Sequence, residues 1–98
     1  MFLIEDVEGI GLTITAVRIA VVEKNNIGKV KDGKCIGYTE KQCIDSYVDH
    51  LKSKNDELQA YLKTIEDENQ INICKGNIRK NNNLMIKLRD IERSLNEN

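Results

Sequence analysis

The sequence predicts an α+β fold in which a small N-terminal antiparallel β-sheet of three or four strands precedes a long antiparallel helical hairpin or coiled coil. Three observations support this: β-branched residues dominate the first third, an Asp-Gly pair separates two short strand-like segments, and the apolar period changes from two to three-and-a-half after Tyr38. The 98 residues suffice for one domain. We divide it into a β-meander subdomain, 1–38, and a helical hairpin, 39–98.

The longest predicted strand covers residues 12–23, where threonine, isoleucine and valine dominate. These side chains lose rotamer freedom in a helix and pack well on a pleated surface. Gly9 and Gly11 precede the segment and predict a turn. Both faces of the strand are apolar, so we expect a cover on each face. The alternative is a helix over about residues 15–25.

A β-hairpin is predicted around Asp32-Gly33, because a two-residue Asp-Gly loop tolerates the positive φ angles that tight hairpin turns require. The flanking segments, 29–31 and 34–38, are short and rich in lysine, which suits an exposed sheet edge. Asn25-Asn26 predicts the turn that precedes them.

The helical half is expected to begin at Thr39, because Thr39 and Gln42 have the spacing of a capping box. An uninterrupted heptad seam follows, which predicts a helix of about 27 residues and roughly 40 Å. A second seam lies near the end of the chain. The two seams comprise Ile44, Val48, Leu51, Asn55, Leu58, Leu62 and Ile65, and then Leu84, Leu88, Ile91 and Leu95.

The phase of the repeat breaks between the two seams, where Gly76 and the Asn-rich stretch 81–83 also weaken helix propensity. We therefore expect a turn near residues 70–76, which places Asn55 opposite Ile91 in the hairpin. One continuous helix is the alternative. Asn55 either fixes register, as a polar seam residue does in coiled coils, or lies at a partly wet edge. We expect Asn55→Leu to raise thermal stability and to loosen the oligomeric state, and lower stability would contradict a seam position.

Charge is balanced overall, with a net charge of −1, so the chain lacks the global attraction for nucleic acid of a dedicated DNA-binding protein. Residues 40–68 are predominantly acidic, whereas residues 71–98 are predominantly basic. The two segments could pair along their length, or each could be an ordinary solvated helix face.

Cysteine usage and composition indicate location and origin. Three cysteines, none in a C-x-x-C pair, predict free thiols and a cytoplasmic protein. No signal peptide is evident, and the apolar run 12–22 is too short to cross a bilayer and contains Arg18. Abundant isoleucine, lysine and asparagine suggest a low-GC bacterium, its phage or another mobile element as the source. The host cytoplasm would then be the location, with no membrane partner.

Motifs for chemistry are scarce. The single histidine, His50, lies seven residues after Cys43, and one such pair supplies too few ligands for zinc. Gly9 and Gly11 lack the further glycine of a dinucleotide-binding loop. We therefore expect no metal, no cofactor and no enzymatic activity.

The function that these features favour is an oligomeric protein-interaction module, namely a phage accessory protein that binds and inhibits or redirects a host protein. The expected partners are a second copy of the chain, as a homodimer or higher symmetric oligomer, and another protein. A dimeric nucleic-acid-binding regulator and a nucleotide-binding or sequestering oligomer are the alternatives. The candidate partner-binding residues are Arg79, Lys80, Lys87, Arg89, Arg93, Tyr47 and Tyr61.

Overall fold

A computed structural model describes residues 1–18 and 27–96 and confirms the α+β class. A four-stranded antiparallel sheet precedes two helices that form an antiparallel hairpin. The elements are β1 (Phe2–Val7), β2 (Gly11–Ala16), β3 (Val30–Lys31), β4 (Lys34–Gly37), α1 (Glu40–Leu62) and α2 (Glu68–Asn96).

The sheet is not the β-meander that the sequence suggested, because its strands lie in the order β2-β1-β4-β3. Two local hairpins, β1–β2 and β3–β4, are joined by an antiparallel pairing of β1 with β4. This pairing sets Ile4 opposite both Ile14 and Cys35. Ile4 and Cys35 are fully buried, so the order places the most apolar row of the sheet at its centre.

Strand β2 is shorter than predicted, since it ends at Ala16. The Val17 N–H still donates to the carbonyl of Met1 (2.9 Å), which extends the ladder with β1 by one bond. The alternative helix from residue 15 is wrong at residues 15 and 16, which belong to the strand. The rest of the predicted strand, 19–23, and the predicted turn at Asn25-Asn26 lie outside the described residues.

The Asp32-Gly33 hairpin is confirmed. Both residues have positive φ angles, 54° and 74°, as a type I′ turn requires. On the adjoining strand, Lys34 forms an ion pair with Glu5 of β1 at 3.5 Å, which spans the pairing of β4 with β1.

The start of α1 is also confirmed. The Thr39 hydroxyl accepts a hydrogen bond from the Gln42 N–H at 3.0 Å. The Gln42 side chain reaches back one residue further than expected and accepts from the Tyr38 N–H at 2.6 Å. Two backbone donors at the helix start are therefore satisfied by side chains.

The turn between the helices was predicted too late in the chain. It occupies residues 63–67 rather than 70–76, so α1 has 23 residues and the single continuous helix is also wrong. Side-chain bonds mark both sides of the break: the Thr64 hydroxyl donates to the Tyr61 carbonyl (2.8 Å), and the Asp67 carboxylate accepts from the Asn69 N–H (2.9 Å). Ile65, assigned to the seam, lies in this turn.

The earlier turn changes the register of the hairpin. Asn55 pairs with Asn81 and Asn82 rather than lying opposite Ile91, and the Cys74 thiol donates to the Leu58 carbonyl at 3.3 Å. Leu95, the last residue of the predicted second seam, is 38% exposed and is not part of the core of the single chain. A longer buried or half-buried heptad repeat faces α1 instead: Ile71, Cys74, Ile78, Asn81, Met85, Leu88 and Glu92.

The core lies where α1 crosses the sheet. Its α1 side chains end at Leu51, and Leu88 of α2 closes it. Packing is tight at Gly37, where an added Cβ would lie 2.9 Å from the Cys43 sulfur. The Cys43 thiol donates to the Phe2 carbonyl at 3.1 Å, which ties α1 to β1. The buried core side chains are Ile4, Cys35, Cys43, Ile44, Tyr47, Val48, Leu51 and Leu88.

The helical hairpin extends well beyond this core. The molecule measures 47 Å along its longest axis, whereas six-residue strands are about 20 Å long. In the second half of α1, Leu58 and Leu62 are only half-buried, and Tyr61 is 49% exposed. The sheet therefore covers the first half of α1, and beyond Leu51 the apolar stripe is covered only in part, by α2.

Candidate functional site: a cleft between the helical hairpin and the Asp32-Gly33 turn

A cleft of about 650 Å³ lies where the hairpin emerges from the sheet. Its longest wall is one stripe of α1, in which side chains three or four residues apart share a face. A second wall comes from α2, and the Asp32-Gly33 turn closes one end. The lining residues are Tyr47, His50, Leu51, Lys54, Glu57, Leu58 and Tyr61 of α1, Asn77, Lys80, Asn81 and Leu84 of α2, and Asp6, Val30, Asp32 and Gly33 of the sheet.

The cleft combines an apolar floor with a charged rim. Leu51, Leu58 and Leu84 are buried or half-buried and form the apolar part. Acidic and basic side chains alternate around them, and Lys54 pairs with Glu57 at 3.5 Å on the exposed surface of α1. A concave site with apolar walls and a few convergent polar groups is the usual form of a binding site.

Tyr47 was predicted to contact a partner, but it belongs to the core, where only 4% of it is exposed. Its hydroxyl donates to the Gly33 carbonyl at 3.4 Å, and burial raises its pKa above the ordinary value. The ring therefore holds the Asp32-Gly33 turn against α1 and forms the inner wall of the cleft. Sequence periodicity placed Tyr47 beside the seam and could not show that the sheet would cover it.

His50 lies next to Tyr47 on this wall, with the two rings in an edge-on arrangement and their centroids 6.4 Å apart. Burial, and then the positive charge of Lys54, lower the pKa of His50, while Glu57 acts in the opposite direction. The imidazole is therefore neutral at pH 7 and offers one donor and one acceptor. The sequence had suggested only a weak metal-ligand role for His50.

Besides the buried Tyr47, the predicted partner-binding residues that line the cleft are Tyr61 and Lys80. Lys80 also lines an adjoining depression of about 400 Å³, together with Arg79 and Lys87. These three basic residues line one side of α2 and are exposed. Among residues 1–18 and 27–96, no ion pair involves any of them. We call Arg79, Lys80 and Lys87 the basic stripe.

Arg89 and Arg93 do not join the basic stripe. Arg89 donates to Asp45 of α1 at 2.9 Å and also pairs with Glu92, and these carboxylates raise the pKa of its guanidinium. Arg93 pairs with Asp90 at 3.4 Å. Both arginines line a different surface, beside Met85 and Ile86. The expected charge pairing along the two helices is represented in the described chain by one bond, Arg89 to Asp45.

The cysteines are free and buried. Burial, followed by the charge of Cys43, raises the pKa of the Cys35 thiol to about 11, and burial likewise raises the pKa of Cys43. Since the thiolate is the reactive form, both thiols are poor nucleophiles at neutral pH. Within the described part of the chain, no group of three or more histidine, cysteine, aspartate or glutamate side chains is arranged to hold a metal ion.

Neither α1 nor α2 contains an apolar segment long enough to cross a bilayer. Comparison with protein-family models, with curated proteins and with solved structures gave no significant match. The candidate site therefore rests on the geometry of the cleft and the charges around it.

Proposed function

We propose that the chain is a non-enzymatic protein-interaction module that binds a segment of another protein in the cleft. One observation carries the proposal: the apolar stripe of α1 continues beyond the sheet, where the described residues leave Tyr61 49% exposed and Leu58 only half-buried. Apolar surface of this kind, bordered by polar groups, is typical of a protein-interaction site.

The dimensions of the cleft suit a short peptide segment. From Tyr47 to Tyr61 the α1 wall spans 14 residues, or about 21 Å at 1.5 Å per residue. A helix of four turns has this length and could place its apolar face against the half-buried Leu58 and Leu84, as in other helix-in-groove complexes. Tyr61 adds the large, partly polar side chain that protein interfaces favour.

The wider setting of the proposal comes from composition and size. A small, isoleucine-, lysine- and asparagine-rich chain fits a phage or mobile-element accessory protein that inhibits or redirects a host protein in the host cytoplasm. We further propose that the chain self-associates through a second face. Ile86 is 60% exposed there, beside Met85 and away from the cleft. A symmetric dimer would cover this side chain.

The basic stripe favours a second candidate function, nucleic-acid binding. Three exposed cations on one helix face, without ion pairs among the described residues, could contact successive phosphates. The cleft itself favours a protein, because Asp6, Asp32 and Glu57 line it and would repel a phosphate backbone.

Site-specific photo-crosslinking tests the proposal. A benzophenone amino acid replaces Tyr61 in the cleft and, in a matched control, the exposed Tyr38 outside it. In a lysate of the natural host, we expect one protein to crosslink from position 61 and not from position 38. Identical adducts from both positions, or adducts with nucleic acid alone, would exclude the cleft as a protein-binding site.

A further inference from the structure

We infer that the segment bound in the cleft is an acidic amphipathic helix, whose apolar ridge contacts the cleft floor and whose carboxylates pair with the basic stripe. This inference rests on the proposed function and adds the chemistry of the partner. It commits the site to an anionic peptide, in preference to a nucleic acid or a second copy of the chain.

The first reason is the uneven neutralisation of α2. On the face away from the cleft, Arg89 and Arg93 have carboxylate partners within the chain. On the face beside the cleft, Arg79, Lys80 and Lys87 form no ion pair with the described residues. A partner with carboxylates at this surface would supply the complementary charge, which favours specificity and fast association.

The second reason is that the apolar floor and the basic stripe are continuous. Leu84 and Lys80 line both the cleft and the adjoining depression. Arg79 and Lys87 are eight residues apart, or about 12 Å along α2. A bound helix could therefore contact the leucine floor with one face while glutamates on an adjacent face reach all three cations.

The third reason distinguishes a peptide from a nucleic acid. Asp6 lines both depressions, and Asp32 and Glu57 line the cleft. A nucleic acid bound here would place its phosphates close to these carboxylates and be repelled by them, because every position of its backbone is negatively charged. A peptide can place a lysine or a backbone N–H beside each carboxylate and keep its glutamates for the basic stripe.

The test uses three fluorescein-labelled 16-residue helical peptides with the same leucine spacing of i, i+3, i+4 and i+7. The positions beside the leucine face that would reach the basic stripe carry glutamate, glutamine or lysine, while the remaining positions are identical in the three peptides and carry no acidic residue. Fluorescence anisotropy with the full chain measures the affinity of each peptide, and labelled oligothymidine serves as the nucleic-acid probe. We expect the glutamate peptide to bind about tenfold more tightly than the glutamine peptide and to weaken as salt rises.

Charge-reversal variants locate the interaction. Lys80→Glu removes one cation of the basic stripe, and Lys41→Glu makes the same charge change on an exposed residue outside the cleft and the adjoining depression. We expect Lys80→Glu to lower the affinity for the glutamate peptide about fivefold or more, while Lys41→Glu leaves it within about twofold. Tyr61→Ala should weaken the glutamate and glutamine peptides equally, because it removes apolar contact alone.

The outcomes separate this inference from the proposed function. Equal, Tyr61-dependent binding of the glutamate and glutamine peptides would overturn the acidic partner and leave the protein-binding cleft in place. Oligothymidine that displaces the glutamate peptide and depends on Lys80 would overturn the inference and the proposed function together. A dimer in sedimentation that dissociates in Lys80→Glu would make a second copy the occupant. If none of the three peptides bound, the inference of an acidic partner would also be overturned. The crosslinking experiment tests the proposed function separately.

Discussion

The pairing of Asn55 with Asn81 and Asn82 yields the sharpest prediction for stability. The Asn55 side chain accepts from the Asn81 side-chain amide at 2.9 Å and donates to the Asn82 side-chain oxygen Oδ1 at 2.9 Å. Asn55 and Asn81 are half-buried between the helices, and Asn82 is exposed. Replacing Asn55 alone by leucine removes both bonds and leaves the Asn81 amide without its acceptor.

The magnitude follows from two opposing terms. Leucine at position 55 would gain about 1 kcal/mol by partial burial of its side chain. An orphaned Asn81 amide would cost about 1–3 kcal/mol, towards the lower end because water reaches this half-buried group. We therefore expect Asn55→Leu alone to be neutral or destabilising by up to about 1 kcal/mol. This replaces the expectation from sequence that the single change stabilises.

The double variant reverses the outcome. With Asn55→Leu and Asn81→Leu together, both half-buried amides are removed and two leucines face each other across the hairpin. We expect the double variant to exceed the sum of the single changes by about 1–2 kcal/mol. Urea unfolding of the four proteins, followed by circular dichroism, gives this coupling free energy. A coupling near zero, or a single Asn55→Leu variant clearly more stable than the parent, would refute the pairing.

Four further predictions test other parts of the structure. Gly76→Ala should raise the free energy of unfolding by about 0.5–1 kcal/mol in a urea titration, because the exposed glycine weakens α2 and an added Cβ meets no described atom within 4 Å. A lower free energy of unfolding would contradict a helix at this position. Gly37→Ala should cost about 1–3 kcal/mol in the same assay, because the new Cβ would overlap Cys43, and an unchanged midpoint would argue against this packing. Burial raises the pKa of the Cys35 thiol to about 11, so the stability that the neutral buried thiol provides is complete below pH 9 and is progressively lost as the pH rises from 9 to 11. Melting temperatures that do not change over this range would contradict this prediction. Burial lowers the pKa of His50, so the neutral imidazole stabilises the fold above pH 6.5, and this stabilisation is lost as the pH falls through the pKa of the folded state. His50→Gln should therefore reduce the acid sensitivity of the melting temperature.

Local signals predicted the local elements well. The Asp32-Gly33 turn and the Thr39 cap depend on neighbouring residues alone, and both are confirmed. The inter-helix turn was predicted too late because Gly76 and the Asn-rich stretch 81–83, which indicate weak helix propensity, lie inside α2 and not in the turn. The low helix propensity of Asn81 and Asn82 is offset by their side-chain hydrogen bonds to Asn55 on the other helix, and local propensity does not include such contacts. Asp67, an N-cap residue followed by Glu68, was the signal that could have placed the turn correctly.

The candidate site was predictable only in part. Tyr61, which lies beside the heptad seam, and Lys80, which belongs to the basic second helix, were both candidates, and both line the cleft. Arg89 is instead held by Asp45, and Tyr47 is covered by the sheet, because both depend on tertiary neighbours distant in sequence. The contribution of Asp6 and Asp32 was not foreseen, since it follows from the strand order β2-β1-β4-β3.

The register of the hairpin is the claim on which the cleft depends, since only a turn at residues 63–67 sets Leu58 and Tyr61 of α1 beside Lys80 and Leu84 of α2. Nuclear Overhauser effects from the Asn55 side-chain amide measure this register directly. The structure predicts cross-peaks between Asn55 and Asn81. Cross-peaks from Asn55 to the methyl groups of Ile91, with none to Asn81, would contradict the register and the cleft built on it.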